Sequence, residues 1–113
     1  MIQGLRTVIY AAPNLAEAKS WYAKAFGIQP YFDEPFYVGF SINGFELGLD
    51  PNIPLLDGST VTYWSVDDIT TAHRHFLAHG AKPRSEPENV GGDIWTATVF
   101  DPFGNAIGLI AEP

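Results

Sequence analysis

Imidazole is the side chain best suited to bind a metal or move a proton near neutral pH. This chain keeps its three histidines in one short stretch, at His73, His75 and His79. On a helical reading His75 and His79 are i, i+4 neighbours and are spaced to grip one ion between them. The same periodicity buries Ile69, Ala72 and Phe76, turns His73 and His75 to solvent, and leaves His79 at the helix C-terminus, where its protonated form suits the dipole. A solvated helix face is therefore the stronger reading than a metal pair. With no cysteine, disulfides, thiolate catalysis and cysteine-ligated zinc are excluded. No Ser-His-Asp order or phosphate-binding glycine loop is present, and Gly91-Gly92 reads as a loop.

Thirteen acidic against six basic residues give a formal charge of −7, which opposes binding to nucleic acid or anionic membranes and favours neutral or cationic ligands. The expected partner is a small organic ligand, with no nucleic acid and no membrane. A length of 113 residues, 46% of them hydrophobic, suits one domain with a real core. The N-terminus has neither a signal-peptide pattern nor an apolar span, so a cytoplasmic location is expected.

The elements that must position any site follow from punctuation and period. Leu5 to Ala12 reads as a strand, and Asn14, with Glu17 three residues on, opens a helix that Gly27 closes. Leu15, Ala18, Trp21, Tyr22, Ala25 and Phe26 form its buried stripe, while Lys19 and Lys24 face outward. Tyr31 to Asp33 and Phe36 to Ile42 read as strands, Asn43-Gly44 as a type I′ hairpin turn, and Phe45 to Leu49 as the returning strand. Asn52 to Ser59 reads as a linker. Thr60 to Val66 then begins a second unit: a helix capped by Asp68 and ended by Gly80, a short strand from Ala81 to Glu86, a loop from Pro87 to Gly92, and strands from Asp93 to Phe100 and Ala106 to Ala111.

The two units echo each other. Pro13-Asn14-Leu15 with Ala18 and Tyr22 reappears as Asp67-Asp68-Ile69 with Ala72 and Phe76, always 54 residues later (67 − 13 and 76 − 22). A duplicated unit of this size predicts a pseudo-symmetric pair, module one over about 1–52 and module two over about 59–113, enclosing a ligand cavity.

Three stretches carry a family resemblance: Asn14 to Ile28, Val66-Asp67-Asp68-Ile69, and Asp101-Pro102-Phe103-Gly104-Asn105-Ala106-Ile107. They resemble the glyoxalase, bleomycin-resistance and extradiol-dioxygenase superfamily, the vicinal oxygen chelate proteins. The resemblance implies an α+β fold of paired βαβββ modules forming a cup-shaped mixed sheet, helices outside, and a homodimer. Catalytic members hold a divalent metal through four His, Gln or Glu ligands. Those positions map here to Arg6, Glu46, Val61 and Gly108, of which only Glu46 can ligate. No metal and no cofactor are therefore expected.

Strand alternation then assigns the lining of the cup. Arg6, Val8 and Tyr10 are expected to face inward with Glu46 and Gly48, as are Val61, Tyr63, Ser65, Ala106, Gly108 and Ile110. Tyr37, Asp93 and Trp95 are placed at the rim, and Trp21, Tyr22, Trp64 and Phe76 in the helix-facing core. The structurally neutral expectation is that Arg6 pairs with Glu46 where a metal would sit. The functional expectation is a metal-independent protein that holds a small organic molecule through Tyr10, Tyr37, Tyr63, Asp93 and Trp95. Two alternatives stay open: a lyase or isomerase with Glu46 as general base and Arg6 stabilising an oxyanion, or a structural module whose cup is filled by side chains.

Overall fold

A computed structural model of the chain describes residue 1, residues 3–55 and residues 61–113. It divides into two compact units, Met1–Leu56 and Asp57–Pro113. The stretch from 56 to 60, where the linker ends and the fifth strand was expected to start, lies outside the described residues.

The first unit runs β1 (Thr7–Ala11), α1 (Leu15–Phe26), β2 (Phe32–Glu34), β3 (Tyr37–Ile42) and β4 (Phe45–Asp50). The second runs β5 (Thr62–Ser65), α2 (Ile69–Ala78), β6 (Lys82–Asn89), β7 (Trp95–Phe100) and β8 (Ala106–Ala111). Each is a βαβββ unit with a mixed four-stranded sheet, in orders β1-β4-β3-β2 and β5-β8-β7-β6. In each, the first strand pairs in parallel with the last, and the other pairs are antiparallel. The α+β class and the βαβββ order are as expected. Among the described residues no helix is long and apolar enough to cross a membrane.

Capping chemistry explains where the helices start and stop. The Asn14 carboxamide oxygen accepts from the Glu17 backbone N–H at 3.2 Å, and the Asp68 carboxylate accepts from the Thr71 N–H at 2.9 Å. Donor and cap are again 54 residues apart in the two units. Glu17 reaches back to the Asn14 side-chain amide at 3.0 Å, so the box closes side chain to side chain. Both helices end in a six-to-one backbone bond, from Ile28 to the Ala23 carbonyl and from Ala81 to the Phe76 carbonyl. The hairpin at Asn43-Gly44 has positive φ at both residues, 47° and 87°, as a type I′ turn demands.

Each core lies between one sheet face and its helix. Val38, Phe40, Leu47 and Leu49 are buried beneath Ala18, Tyr22 and Ala25 of α1, and Ala97, Val99, Ile107 and Leu109 form the matching layer under Ile69, His73 and Phe76 of α2. His73 thus corrects an expectation. It lies four residues after Ile69 and three before Phe76, so it takes the inner stripe in preference to Ala72, and its Nε2 is buried without a hydrogen-bond partner among the described residues. β6 is also longer than expected and runs through Pro83 and Pro87. An edge strand tolerates the missing donors, and two register shifts against β7 absorb the misfit. Before β8, the buried Asp101 carboxylate accepts from the backbone N–H groups of Phe103 and Asn105 and from the Asn105 side chain, which fixes the turn feeding that strand.

Candidate functional site

The open face of the first sheet is set by register. Thr7 stands opposite Glu46, which stands opposite Ser41; Ile9, Gly48 and Gly39 form the next rung, and Ala11 and Asp50 the one after. The other face carries Val8 and Tyr10 beside Leu47 and Leu49. Tyr10 is 6% exposed, with its ring 5.8 Å from that of Tyr22 in α1. The expected inward set of Arg6, Val8 and Tyr10 is therefore shifted by one residue: Thr7, Ile9 and Ala11 share the face of Glu46, and Tyr10 belongs to the core. The repeat carried the signal, because Val61 minus the 54-residue step is Thr7.

Glu46 is the polar centre of this face. The hydroxyls of Tyr31 and Tyr37 each donate to one of its carboxylate oxygens, Tyr37 at 2.5 Å to Oε2. Both phenols reach it because the rung beside it is glycine. A Cβ on Gly48 would lie 2.6 Å from Tyr37 Cζ, and a Cβ on Gly39 would lie 3.1 Å from Tyr31 Cε1. Tyr31, 61% exposed, is a site residue that strand alternation did not single out. The two glycines were its only trace in the sequence.

Arg6 precedes β1 and still joins this group. Its carbonyl accepts from the Glu46 N–H at 3.0 Å, and its guanidinium donates to Thr7 Oγ1 at 2.7 Å. A recess of about 390 Å³ is lined by Arg6, Tyr31, Ser41, Gly44, Phe45 and Glu46. The expected Arg6–Glu46 ion pair is not formed, because the carboxylate is engaged by phenols. Burial pushes the Tyr37 phenol above its usual 10.0; nearby Arg6 opposes the shift and Asp50 adds to it.

The second sheet repeats the glycine device. Tyr63 stands opposite Gly108, and a Cβ there would lie 2.6 Å from Tyr63 Cδ1, so the ring covers the glycine on the open face. Tyr63 pairs with Gly108 as Ile9 pairs with Gly48, and the two leading residues are one repeat step apart. Gly48 is therefore the counterpart of Gly108, and Glu46 is the counterpart of Ala106. Within the second unit, Trp95 shares the helix-side face with Ala97, and with Asp93, Asp67, Asp68 and Glu112 it lines a groove of about 270 Å³ by the start of α2.

Residues 4–109 match the family model described as the Glyoxalase/Bleomycin resistance protein/Dioxygenase superfamily. The chain belongs to this superfamily. Solved structures share its fold throughout. A glyoxalase/bleomycin resistance protein/dioxygenase family enzyme from Burkholderia phytofirmans PsJN superposes with a TM-score of 0.84 at 15% identity, covering 98% of this chain and 100% of that one. A glyoxalase-related enzyme from Fulvimarina pelagi gives 0.81 at 18% identity, with 99% and 90% covered. The lactoylglutathione lyase of Agrobacterium tumefaciens gives 0.78 at 17%, with 98% and 95% covered. Among curated proteins, none matches this superfamily member.

Proposed function

We propose that this member of the superfamily binds a small organic molecule at the Glu46 recess without a metal, as a single two-module domain that pairs into a homodimer. The observation that carries the reading is the carboxylate held by two phenols beside an arginine, over a face cleared by two glycines. An acceptor-only carboxylate offers about four lone-pair sites, so two remain for a ligand after Tyr31 and Tyr37 are served. Phe45 and Gly44 supply an apolar wall of the kind small-molecule sites combine with few polar groups.

The donor set does not suit the divalent metal of the catalytic relatives. On the Glu46 rung the neighbours are the hydroxyls of Thr7 and Ser41, and the equivalent positions in the second sheet, Val61 and Ala106, have no donor atom. Among the described residues no three His, Asp or Glu side chains converge. One carboxylate with neutral hydroxyls leaves such an ion most of its hydration shell.

A second reading, a lyase or isomerase with Glu46 as general base, is favoured by the guanidinium in the same recess, placed to stabilise an oxyanion. Thermal melts across a panel of metabolites and antibiotics test the main reading. A ligand at 100 times its Kd stabilises by about 2.7 kcal/mol, which a melt resolves, and the shift should vanish in Glu46→Ala. If no compound raises the wild-type melting temperature, the binding reading fails. Loss of turnover with intact binding in Glu46→Gln would move the assignment to the enzyme.

A further inference from the structure

The ligand class can be narrowed, and the narrowing rests on the binding reading above. The recess is lined by one cation, Arg6, and one anion, Glu46, yet the two do not pair. Arg6 and Glu46 line the same recess, so their failure to pair leaves both charges available to a third group. The Arg6 guanidinium donates to the neutral hydroxyl of Thr7 at 2.7 Å, which uses one of five guanidinium donors and leaves the rest of the planar fork available. Glu46 has been taken from it by Tyr31 and Tyr37. The result is two opposite charges that do not pair within one recess of about 390 Å³, whose lining Gly44 and Phe45 help to complete.

We propose that this recess recognises a small zwitterion: a molecule whose carboxylate lies on the Arg6 fork, whose ammonium takes the open acceptor sites of Glu46, and whose apolar body packs on Phe45. Each pole has the chemistry for its partner. Guanidinium binds carboxylate bidentately, and an ammonium carries donors only, as an acceptor-only carboxylate requires. A ligand with one charge leaves the opposite pole of the recess unanswered.

Four probes with one benzene body separate the possibilities: 4-(aminomethyl)benzoate with both charges, 4-methylbenzoate with the carboxylate, 4-methylbenzylamine with the ammonium, and 4-methylbenzyl alcohol with neither. Binding to the full chain is followed by calorimetry and thermal shift. The zwitterion is expected to bind about 10-fold or more tightly than either singly charged probe, since each charge-assisted contact has that weight. Arg6→Gln, on an exposed side chain and so tolerated by the fold, should reduce the zwitterion to the affinity of the amine and leave the amine unchanged. Glu46→Gln should reduce it to that of 4-methylbenzoate. If the alcohol or either singly charged probe binds as well as the zwitterion, or Arg6→Gln weakens all charged probes equally, the zwitterion assignment is overturned while binding at the recess stands. If none of the four binds, the zwitterion assignment is overturned, and the binding reading is decided separately by the metabolite and antibiotic panel.

Discussion

Replacing Gly48 with alanine tests the idea that missing Cβ atoms hold the tyrosine clamp in place. The backbone at Gly48 does not require positive φ, so alanine fits the strand itself, and replacing a strand glycine contributes about 0.5–1 kcal/mol of stability. The new methyl would stand 2.6 Å from Tyr37 Cζ and 2.9 Å from Cε1, where ordinary contacts begin near 3.4 Å. The nearest atom of all is the Tyr37 hydroxyl, so the phenol must withdraw by about 1.5 Å, which takes it away from Glu46. A hydrogen bond to a charged group contributes about 1.5–3 kcal/mol, so Gly48→Ala should destabilise by about 1–2 kcal/mol net. In a Tyr37→Ala background both the clash and the bond are already gone, and the same change should stabilise by about 0.5–1 kcal/mol. The sign reverses, with a coupling of about 1.5–3 kcal/mol between two positions eleven residues apart in sequence. Urea unfolding of the four proteins measures it. Equal destabilisation by Gly48→Ala in both backgrounds would refute the reasoning, because it would place the cost in the strand and not in the phenol.

Three further outcomes are expected. His73→Leu replaces a buried imidazole whose Nε2 has no partner with an apolar side chain of comparable size, and should raise the melting temperature through about 1–2 kcal/mol; a lowered temperature would mean that the nitrogen is satisfied. The Asp68 carboxyl is held below its usual 3.8, first by the backbone N–H of Thr71 and then by the Thr71 hydroxyl. A depressed carboxyl stabilises the fold above its unfolded value, and that contribution is lost as pH falls through the folded one. The melting-temperature gap between wild type and Asp68→Asn should therefore be open at neutral pH and close in acid below about pH 4. In an ultraviolet titration, Tyr37→Phe should remove a phenol that ionises above 10.0, since burial raises it; the linked stabilisation holds below that pH and fades as pH rises through the folded value. Loss of an ordinary tyrosine from the titration would contradict the burial of this ring.

The frame of both units was legible because its signals are local. Asn14 and Asp68 cap helices with their own side chains, Gly27 provides a left-handed terminus, and Asn43-Gly44 dictates a hairpin, each decided within a few residues. Properties set by one residue of phase were less secure. Counting the first strand from Arg6 in place of Thr7 moved Tyr10 from the core to the ligand face, since side chains alternate with period two. The same sensitivity sent His73 to solvent on α2, where Ala72 and His73 compete for one stripe and α2 buries the larger ring.

The clamp itself was hidden for a different reason. Strand parity says which face a side chain leaves from, and it says nothing about how far that side chain leans across the sheet. Tyr37 pairs with Glu34 at the start of β3, before the ladder to β4 begins, yet its hydroxyl reaches Glu46, passing the Gly48 rung on the way; Tyr31 precedes β2 altogether and reaches the same carboxylate over Gly39. A side chain at position 48 would deny Tyr37 its route, and one at position 39 would press the Tyr31 ring aside by a few tenths of an ångström. The glycines therefore act through empty space, and a sequence read for donors and acceptors passes over residues that have neither. The second sheet repeats the arrangement with Tyr63 over Gly108, but Ala106 stands where Glu46 stands in the first, so that tyrosine has no equivalent carboxylate to hold. Two copies of one unit thus share a device for laying a phenol across a sheet, and only the copy with the acid turns it into a polar site.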